Sequence, residues 1–140
     1  MKRIDVAIAV VVFEGKILIC QRKSGDTFGG YWEFPGGKCE PGERVEDCLA
    51  RELREELDIE IEPTEKFPVI AHNYPTADLT LHPFLCRHVS GQPRMIECQK
   101  IEWVLPDKLA DYRFPPANHA LLNQIVQRLK SPSADVPCNS

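Results

Sequence analysis

A run of acidic and aliphatic residues from position 44 to position 57 predicts an amphipathic helix and constrains the rest of the fold. Aliphatic side chains recur at helical spacing and form one stripe, made of Val45, Leu49, Leu53 and Leu57. Glu52, Glu55 and Glu56 fall within roughly 100° of arc at about 100° per residue, and two of them lie among the leucines. Carboxylates turned toward the protein body are costly unless a positive group sits between them. The pattern therefore predicts a cation site on this helix.

A solvent-exposed helix is the alternative, because acidic and basic residues commonly pair at helical spacing on solvated helices. The segment in front of the helix argues against it. Phe34-Pro35-Gly36-Gly37 predicts a glycine turn that brings backbone carbonyls close to a ligand. Carboxylates together with a carbonyl suit Mg²⁺ or Mn²⁺, and such an ion usually takes substrate phosphates as further ligands. We therefore expect a metal site that meets a polyphosphate.

The spacing of these residues resembles the Nudix box, the signature of the Nudix hydrolase family. That signature reads G, five residues, E, seven residues and REUXEEXGU, where U is an aliphatic residue. Gly37, Glu43 and the segment from Arg51 to Ile59 match it. Asp58 stands where the pattern has its last glycine, which ends the helix and carries no ligand. Aspartate also adopts the left-handed conformation, less easily than glycine, so the departure leaves the predicted chemistry intact.

The resemblance implies a Nudix-type α/β/α sandwich with a mixed central sheet and two main helices, and the apolar patterns agree with this α/β class. Strands are predicted at residues 5–13, 16–22, 31–34, 59–62, 66–73, 79–89 and 100–104. The second amphipathic helix is predicted from Asn118 to Leu129, and a short helix from Pro106 to Ala110. We expect a single domain over residues 1–130 and a flexible C-terminal tail over residues 131–140.

The Nudix resemblance implies a set of metal ligands: the Gly37 carbonyl, Glu52, Glu55, Glu56 and Glu102. An exposed strand residue is the alternative for Glu102. Glu52 is expected to be the general base, with Glu102 as the alternative, because a nearby cation and nearby carboxylates shift a pKa in opposite directions. Arg51 is expected to orient the glutamates by paired hydrogen bonds, and Glu43 to hold the loop and helix together. Gly36 is a structural residue of the motif.

The segment Arg113-Phe114-Pro115-Pro116-Ala117-Asn118 is similar to the FPPAN segment of the MutT branch of the family, whose asparagine recognises the oxidised purine of 8-oxo-dGTP. The Asn118 amide offers one acceptor and two donors, enough to bind a purine edge at two points. A helix N-cap is its alternative role. By resemblance Arg22 faces the substrate phosphates, with a solvated strand end as the alternative. Lys38 is expected to reach phosphate or to pair with a nearby acid, and Phe34 to line the base pocket.

The loop from Tyr74 to Asp78 departs from the MutT branch, because it carries Ala77 where the MutT-type enzyme has an arginine near the substrate. Three functions therefore remain open. The chain hydrolyses 8-oxo-dGTP to the monophosphate and pyrophosphate, or it hydrolyses other nucleotides such as CTP or its modified forms, or it is a non-catalytic nucleotide-sensing or DNA-glycosylase accessory module. The complete acidic set favours the two hydrolases.

The composition argues against several other classes of protein. The 140 residues carry a net charge of −4, which disfavours a surface that coats nucleic acid. No stretch approaches the ~18 apolar residues of a membrane span, and no signal peptide is expected. Six cysteines without zinc-site spacing predict reduced thiols in a cytoplasm. We expect a small nucleotide substrate, no membrane or stable nucleic-acid partner, and a monomer or homodimer.

Overall fold

The computed structural model describes the backbone of residues 2–135 and the side chains of residues 2–129, and this part of the chain contains eight strands and two α-helices. The strands are Lys2–Phe13 (β1), Lys16–Gln21 (β2), Trp32–Glu33 (β3), Gly36–Lys38 (β4), Glu60–Lys66 (β5), Ile70–Tyr74 (β6), Ala77–Ser90 (β7) and Lys100–Val104 (β8). The helices are Val45–Leu57 (α1) and His119–Asp135 (α2), with 3₁₀ segments at Pro106–Asp111 and Pro116–Asn118.

The long periodic segments lie where the sequence predicts them, and the short ones differ. The turn predicted at Gly36-Gly37 is instead strand β4, because these residues pair antiparallel with β1. The second helix continues to Asp135, beyond the predicted end at Leu129. Residues 136–140 of the predicted tail lie outside the described residues. Asp58 ends α1 in the left-handed conformation, at φ 58° and ψ 41°, as predicted for this position.

The sheet is mixed, and its pairing opens a gap beside β1. β1 runs parallel to β7, and the other paired strands are antiparallel. On its opposite edge β1 pairs with β2 only at Val12 and Phe13, and with β4 at Val6, Ala7 and Ile8. β2 continues away from β1 and pairs with β3 and β8. The sheet therefore opens between β2 and β4, and the candidate site lies there.

Alternation along β1 assigns its side chains to two separate cores. Ala7, Ala9 and Val11 pack with the leucines of α1, whereas Ile8 and Val10 pack with the buried residues of α2. Because helices cover both faces, the strand reads as a continuous apolar run. This arrangement is the predicted α/β/α sandwich with a mixed central sheet. No helix in the described part of the chain is long and apolar enough to cross a membrane.

Replacing Leu53 by alanine should lower the free energy of unfolding by about 2–5 kcal/mol, because its fully buried side chain anchors α1 to the sheet and truncation leaves a cavity. Leu105→Ala is the matched control, since Leu105 is 45% exposed. Its loss should be about 0.5 kcal/mol or less. Urea unfolding followed by circular dichroism measures both, and equal losses would contradict the assignment of Leu53 to the anchoring contact.

Candidate active site

Two glycines of β4 allow the carboxylates of α1 to reach the backbone of the sheet. The Gly36 N–H donates a hydrogen bond of 3.2 Å to Glu56 Oε1. Gly36 has a φ of +150°, and a Cβ there would lie 2.0 Å from the Ala7 carbonyl oxygen. A Cβ on Gly37 would lie 2.4 Å from the carboxyl carbon of Glu52. Side chains at either glycine would therefore displace the strand or the carboxylate that packs on it.

Burial and neighbouring carboxylates make Glu56 bind its proton more tightly than an ordinary glutamate does. The pKa of the Glu56 carboxyl is raised to about 9. Burial is the main cause and the Gly36 N–H opposes it, while the carboxylates of Glu33, Glu52 and Glu97 raise the pKa further. Burial also raises the pKa of Glu52. A divalent cation among these groups would relieve the repulsion.

Arg51 compensates the acidic residues on the outer side of α1. Its guanidinium donates two hydrogen bonds to Glu43, of 2.8 and 2.9 Å, and further bonds to Glu52 at 3.1 Å and Glu55 at 3.2 Å. A fifth donor contact, of 3.3 Å, reaches the Lys38 carbonyl. The Arg51 guanidinium lowers the pKa of Glu43 to about 2. One arginine thus ties the glycine segment, the loop and the helix together.

A cavity of about 150 Å³ lies beside Glu56 on the α1 face of the sheet. Its charged lining consists of Arg22, Asp26, Glu33, Glu56 and Glu97. Arg22 Nε donates to the Thr27 carbonyl at 2.7 Å, and its Nη1 donates to Glu33 at 2.8 Å. These bonds hold the guanidinium at the cavity and leave its Nη2 without a hydrogen bond to a described residue. The cavity therefore brings four carboxylates together with one guanidinium that hydrogen bonds hold in place.

The residues predicted to contact a base lie on the other face of the sheet. Phe34 is buried and its ring stacks on Phe114, with centroids 5.1 Å apart and planes 21° apart. The Trp32 N–H donates to the Arg113 carbonyl at 2.7 Å and fastens this segment to β3. Asn118 follows in a 3₁₀ segment and is half-buried. Its side-chain amide makes no hydrogen bond within the described residues, so the N-cap contact is not formed.

The donor set fits a divalent cation, although the side chains are not drawn together into a formed site. Among residues 2–129, no three His, Cys, Asp or Glu side chains are arranged as metal ligands. Glu52 and Glu97 nevertheless both act on the half-buried Glu56 carboxyl, and Gly37 leaves room for Glu52. Hard oxygen donors with raised pKa values are the chemistry that Mg²⁺ or Mn²⁺ would satisfy.

Residues 6–124 match the family described as NUDIX domain. The chain belongs to the Nudix family. The match includes most of β1, the whole of β4 and α1, and Asn118, so it covers both sides of the candidate site.

Similar Nudix proteins cover nearly the whole chain. It is 34% identical over 135 residues to the CTP pyrophosphohydrolase of Escherichia coli, covering 96% of this chain and 100% of that protein. It is 36% identical over 126 residues to the 8-oxo-dGTP diphosphatase of Haemophilus influenzae, covering 89% and 93%. The solution structure of the E. coli ORF135 protein has a TM-score of 0.81 at 33% identity over 96% of each chain. A MutT structure from work on Aliivibrio salmonicida and Vibrio cholerae has a TM-score of 0.75 at 33% identity, covering 91% and 98%. The chain is therefore a Nudix hydrolase.

Glu102 does not join the Nudix carboxylates. On β8 it pairs with Ile19, whose side chain packs on the α2 side, whereas Ile101 and Trp103 pack on the α1 side. Glu102 is exposed and lies on the face of the sheet opposite to α1. The geometry does not support its predicted role as metal ligand or base, which stays a prediction.

Glu97 is the cavity residue that sequence reasoning missed. It lies in segment 91–99, which connects β7 to β8 and has no helix or strand. The Gln99 N–H donates to the Gln21 carbonyl at 2.9 Å, so contact with β2 begins one residue before β8. This contact brings Glu97 to the cavity. The sequence places Glu97 just before a predicted strand, which was the only local signal of its role. Local sequence does not predict that this strand pairs with β2.

Two further predicted residues lie at the edge of the site. Glu55 is exposed over 53% of its side chain and contacts Arg51. Lys38 is exposed and pairs with Val6, whose side chain packs on the α2 side of the sheet. Lys38 and Asn118 therefore lie on one side of β4, while Glu52 and Glu56 lie on the other.

Glu56→Gln should flatten the dependence of stability on pH in the metal-free protein. The pKa of Glu56 is about 9 in the folded chain and near 4.5 when unfolded, so the folded state holds the proton between these values. Stability from this group is present below pH 4.5 and is lost as the pH rises toward 9. Urea unfolding at pH 5, 7 and 9 in a chelator measures it.

Glu46→Gln is the control for Glu56→Gln, because Glu46 is an exposed glutamate of the same helix. Its pH dependence should follow that of the wild type. A Glu56→Gln protein that still loses stability as steeply as the wild type above pH 5 would contradict the assignment to Glu56.

Proposed function

We propose that this chain hydrolyses the oxidised purine nucleotide 8-oxo-dGTP to its monophosphate and pyrophosphate, with Mg²⁺ or Mn²⁺ as the cofactor. The observation that carries the proposal is the free side-chain amide of Asn118. It is half-buried beside the Phe34–Phe114 stack, and no described residue satisfies its acceptor or donors. A half-exposed amide with one unused acceptor and two unused donors can pair with a ligand that presents a complementary edge. The Haemophilus relative named 8-oxo-dGTP diphosphatase supports this choice.

On the base side, the proposed site combines partly buried apolar side chains with the amide of Asn118. Val6, Leu79 and Ala117 are only partly buried and pack around the core that contains Phe34. A planar purine can contact these side chains while its edge meets Asn118. The apolar wall provides affinity for any base, and the amide provides the choice among bases.

The phosphate side is the cavity on the α1 face. Mg²⁺ held by Glu52, Glu56 and Glu97 would neutralise the triphosphate and make a bound water more acidic. The Gly37 carbonyl and Glu55 are further candidate ligands. Arg22 has an unused Nη2, which would bind a phosphate oxygen while its other donors keep it in place. The substrate would thus cross β4, where the glycines leave space.

Glu52 is the proposed general base. Its raised pKa brings it closer to neutral pH than an ordinary glutamate, which favours proton transfer. Arg51 holds the carboxylate through a bond of 3.1 Å. Water attacks a phosphorus of the triphosphate, its proton passes to Glu52, and the bond between the α and β phosphates breaks with pyrophosphate as a product. Arg22 balances charge on the phosphates during this step.

Hydrolysis of CTP or a modified pyrimidine nucleotide is the second candidate. The E. coli protein named CTP pyrophosphohydrolase is similar to this chain over the whole of its own length. Ala77 pairs with Tyr74 at the tight turn between β6 and β7 and supplies no hydrogen-bond donor there. A site with less polar recognition at this end accepts a wider range of bases. The complete acidic set and the hydrolase relatives favour either activity over a non-catalytic module.

Asn118→Ala should lower kcat/KM for 8-oxo-dGTP by about 10–100-fold, because it removes up to two hydrogen bonds to the base. The loss for dGTP and CTP should be smaller. Asn123→Ala, an exposed asparagine of α2, is the matched control and should leave kcat/KM unchanged. Steady-state pyrophosphate release over the three nucleotides measures it. If the wild type has a kcat/KM for 8-oxo-dGTP no higher than for dGTP or CTP, the proposal is wrong.

The variants Glu97→Gln and Glu102→Gln test which of two carboxylates binds the metal: Glu97, which precedes β8, or Glu102, which lies within it. Glu97→Gln should weaken Mn²⁺ binding and lower kcat by about 100-fold, since a ligand oxygen loses its charge at the cavity. Glu102→Gln should change neither, because its side chain is exposed on the far face. Calorimetric Mn²⁺ titration and kcat give two independent readouts. Loss of metal affinity in Glu102→Gln alone would reverse the assignment.

A further inference from the structure

Two thiols that the proposed hydrolysis does not use line the cavity beside Glu56. Cys20 lies on β2 and is 4% exposed, and Cys98 lies just before β8 and is 7% exposed. The two thiols interact with each other, and both cysteines are unbridged. A buried cysteine needs no explanation beyond packing, but a facing pair at a polar cavity is a chemical feature.

The pairing of β2 with β8 brings together the segments that hold the two cysteines. Cys20 pairs with Ile101, and the backbone bond from Gln99 to Gln21 extends this antiparallel ladder to the residue next to Cys98. Cys20 and Cys98 belong to the same core cluster on the α1 face. Cys98 is three positions along the chain from the residue opposite Cys20, so the shared cavity wall and core cluster, rather than a directly opposite pairing, bring the two thiols near each other.

We infer that Cys20 and Cys98 form a dithiol modification site that hydrogen peroxide converts to a disulfide, and that this disulfide stops hydrolysis. The first half stands independently, and the second half rests on the proposed function. One thiolate attacks the O–O bond of the peroxide, giving a sulfenic acid and, after protonation, water. The second thiol attacks the sulfenic sulfur, the S–S bond forms and a second water leaves. Two electrons pass from the sulfurs to the peroxide.

The disulfide acts on hydrolysis through Glu97. Segment 91–99 has no helix or strand to hold it, and Cys98 directly follows Glu97. A covalent bond from Cys98 to β2 fixes the backbone beside this carboxylate. Glu97 then loses the freedom to approach a cation shared with Glu56. The cavity is small, so a bridge across its wall also narrows the space for phosphate.

Peptide mapping of the reduced full chain after brief peroxide treatment tests the site. We expect a mass loss of two hydrogens and one crosslinked peptide that joins Cys20 to Cys98. Cys39 and Cys48 form a second interacting pair outside this cavity, and Cys86 is a buried thiol of β7, so both serve as internal references. A crosslink between Cys39 and Cys48 instead, or no crosslink, overturns the inference.

Activity of each variant is compared with its own reduced form, so that changes in basal rate do not matter. Wild type and Cys86→Ser should lose at least about 10-fold in kcat on oxidation and recover with dithiothreitol. The double variant C20S/C98S should keep its rate, and C39S/C48S should behave as wild type. A mapped Cys20–Cys98 disulfide with unchanged kcat overturns the regulatory half. If the reduced wild type hydrolyses no nucleotide, the proposed function is wrong. The peptide map still shows whether Cys20 and Cys98 form a disulfide.

Discussion

The contact between the carboxylates of α1 and the glycine strand β4 is the constraint on which the rest of the site depends. The leucine stripe fixes α1 on the sheet, and this places Glu52 and Glu56 against Gly36 and Gly37. Without side chains on these glycines, the carboxylates approach the backbone closely enough to be buried. Burial raises the pKa of both carboxyls, and the neighbouring carboxylates raise the pKa of Glu56 further. Arg51 bonds to the carboxylates on the outer side of α1, and we propose that a divalent cation balances those on the inner side.

The same strand divides the site into two chemical environments. β4 pairs with one half of β1 and leaves the other half to β2, so the sheet opens where the two partners separate. The acidic cavity lies on the α1 face, and the aromatic stack with Asn118 lies on the α2 face. A nucleotide has the same division, with an anionic triphosphate and an apolar, hydrogen-bonding base. In the proposed function, the triphosphate would bind on one side of β4 and the base on the other.

Residue periodicity was enough to predict most of the helices and strands, whereas the faces on which Glu97 and Glu102 lie depend on strand pairing. The leucine spacing of α1, the hairpin of β1 and β2, and strand β8 follow from local patterns that any reader of the sequence can count. The partnership of Arg51 with Glu43 follows from the Nudix spacing. Glu102 and Glu97 show the limit of such reasoning. Side chains alternate across a strand, so a shift by one residue moves a carboxylate from one face to the other. Local pattern does not tell which face of β8 meets α1.

The sequence by itself determined the family, the α/β class and the acidic helix, and it predicted Asn118 as a contact to the base. These follow from short-range spacing, because a helix or a motif places its residues through the geometry of the chain itself. Only the tertiary structure decided that Glu97 lines the cavity, that Glu102 faces away and that Cys20 meets Cys98. These residues are brought together by strand pairing between distant segments. Such pairing depends on the packing of the whole sheet, and the identity of the residues involved does not encode it.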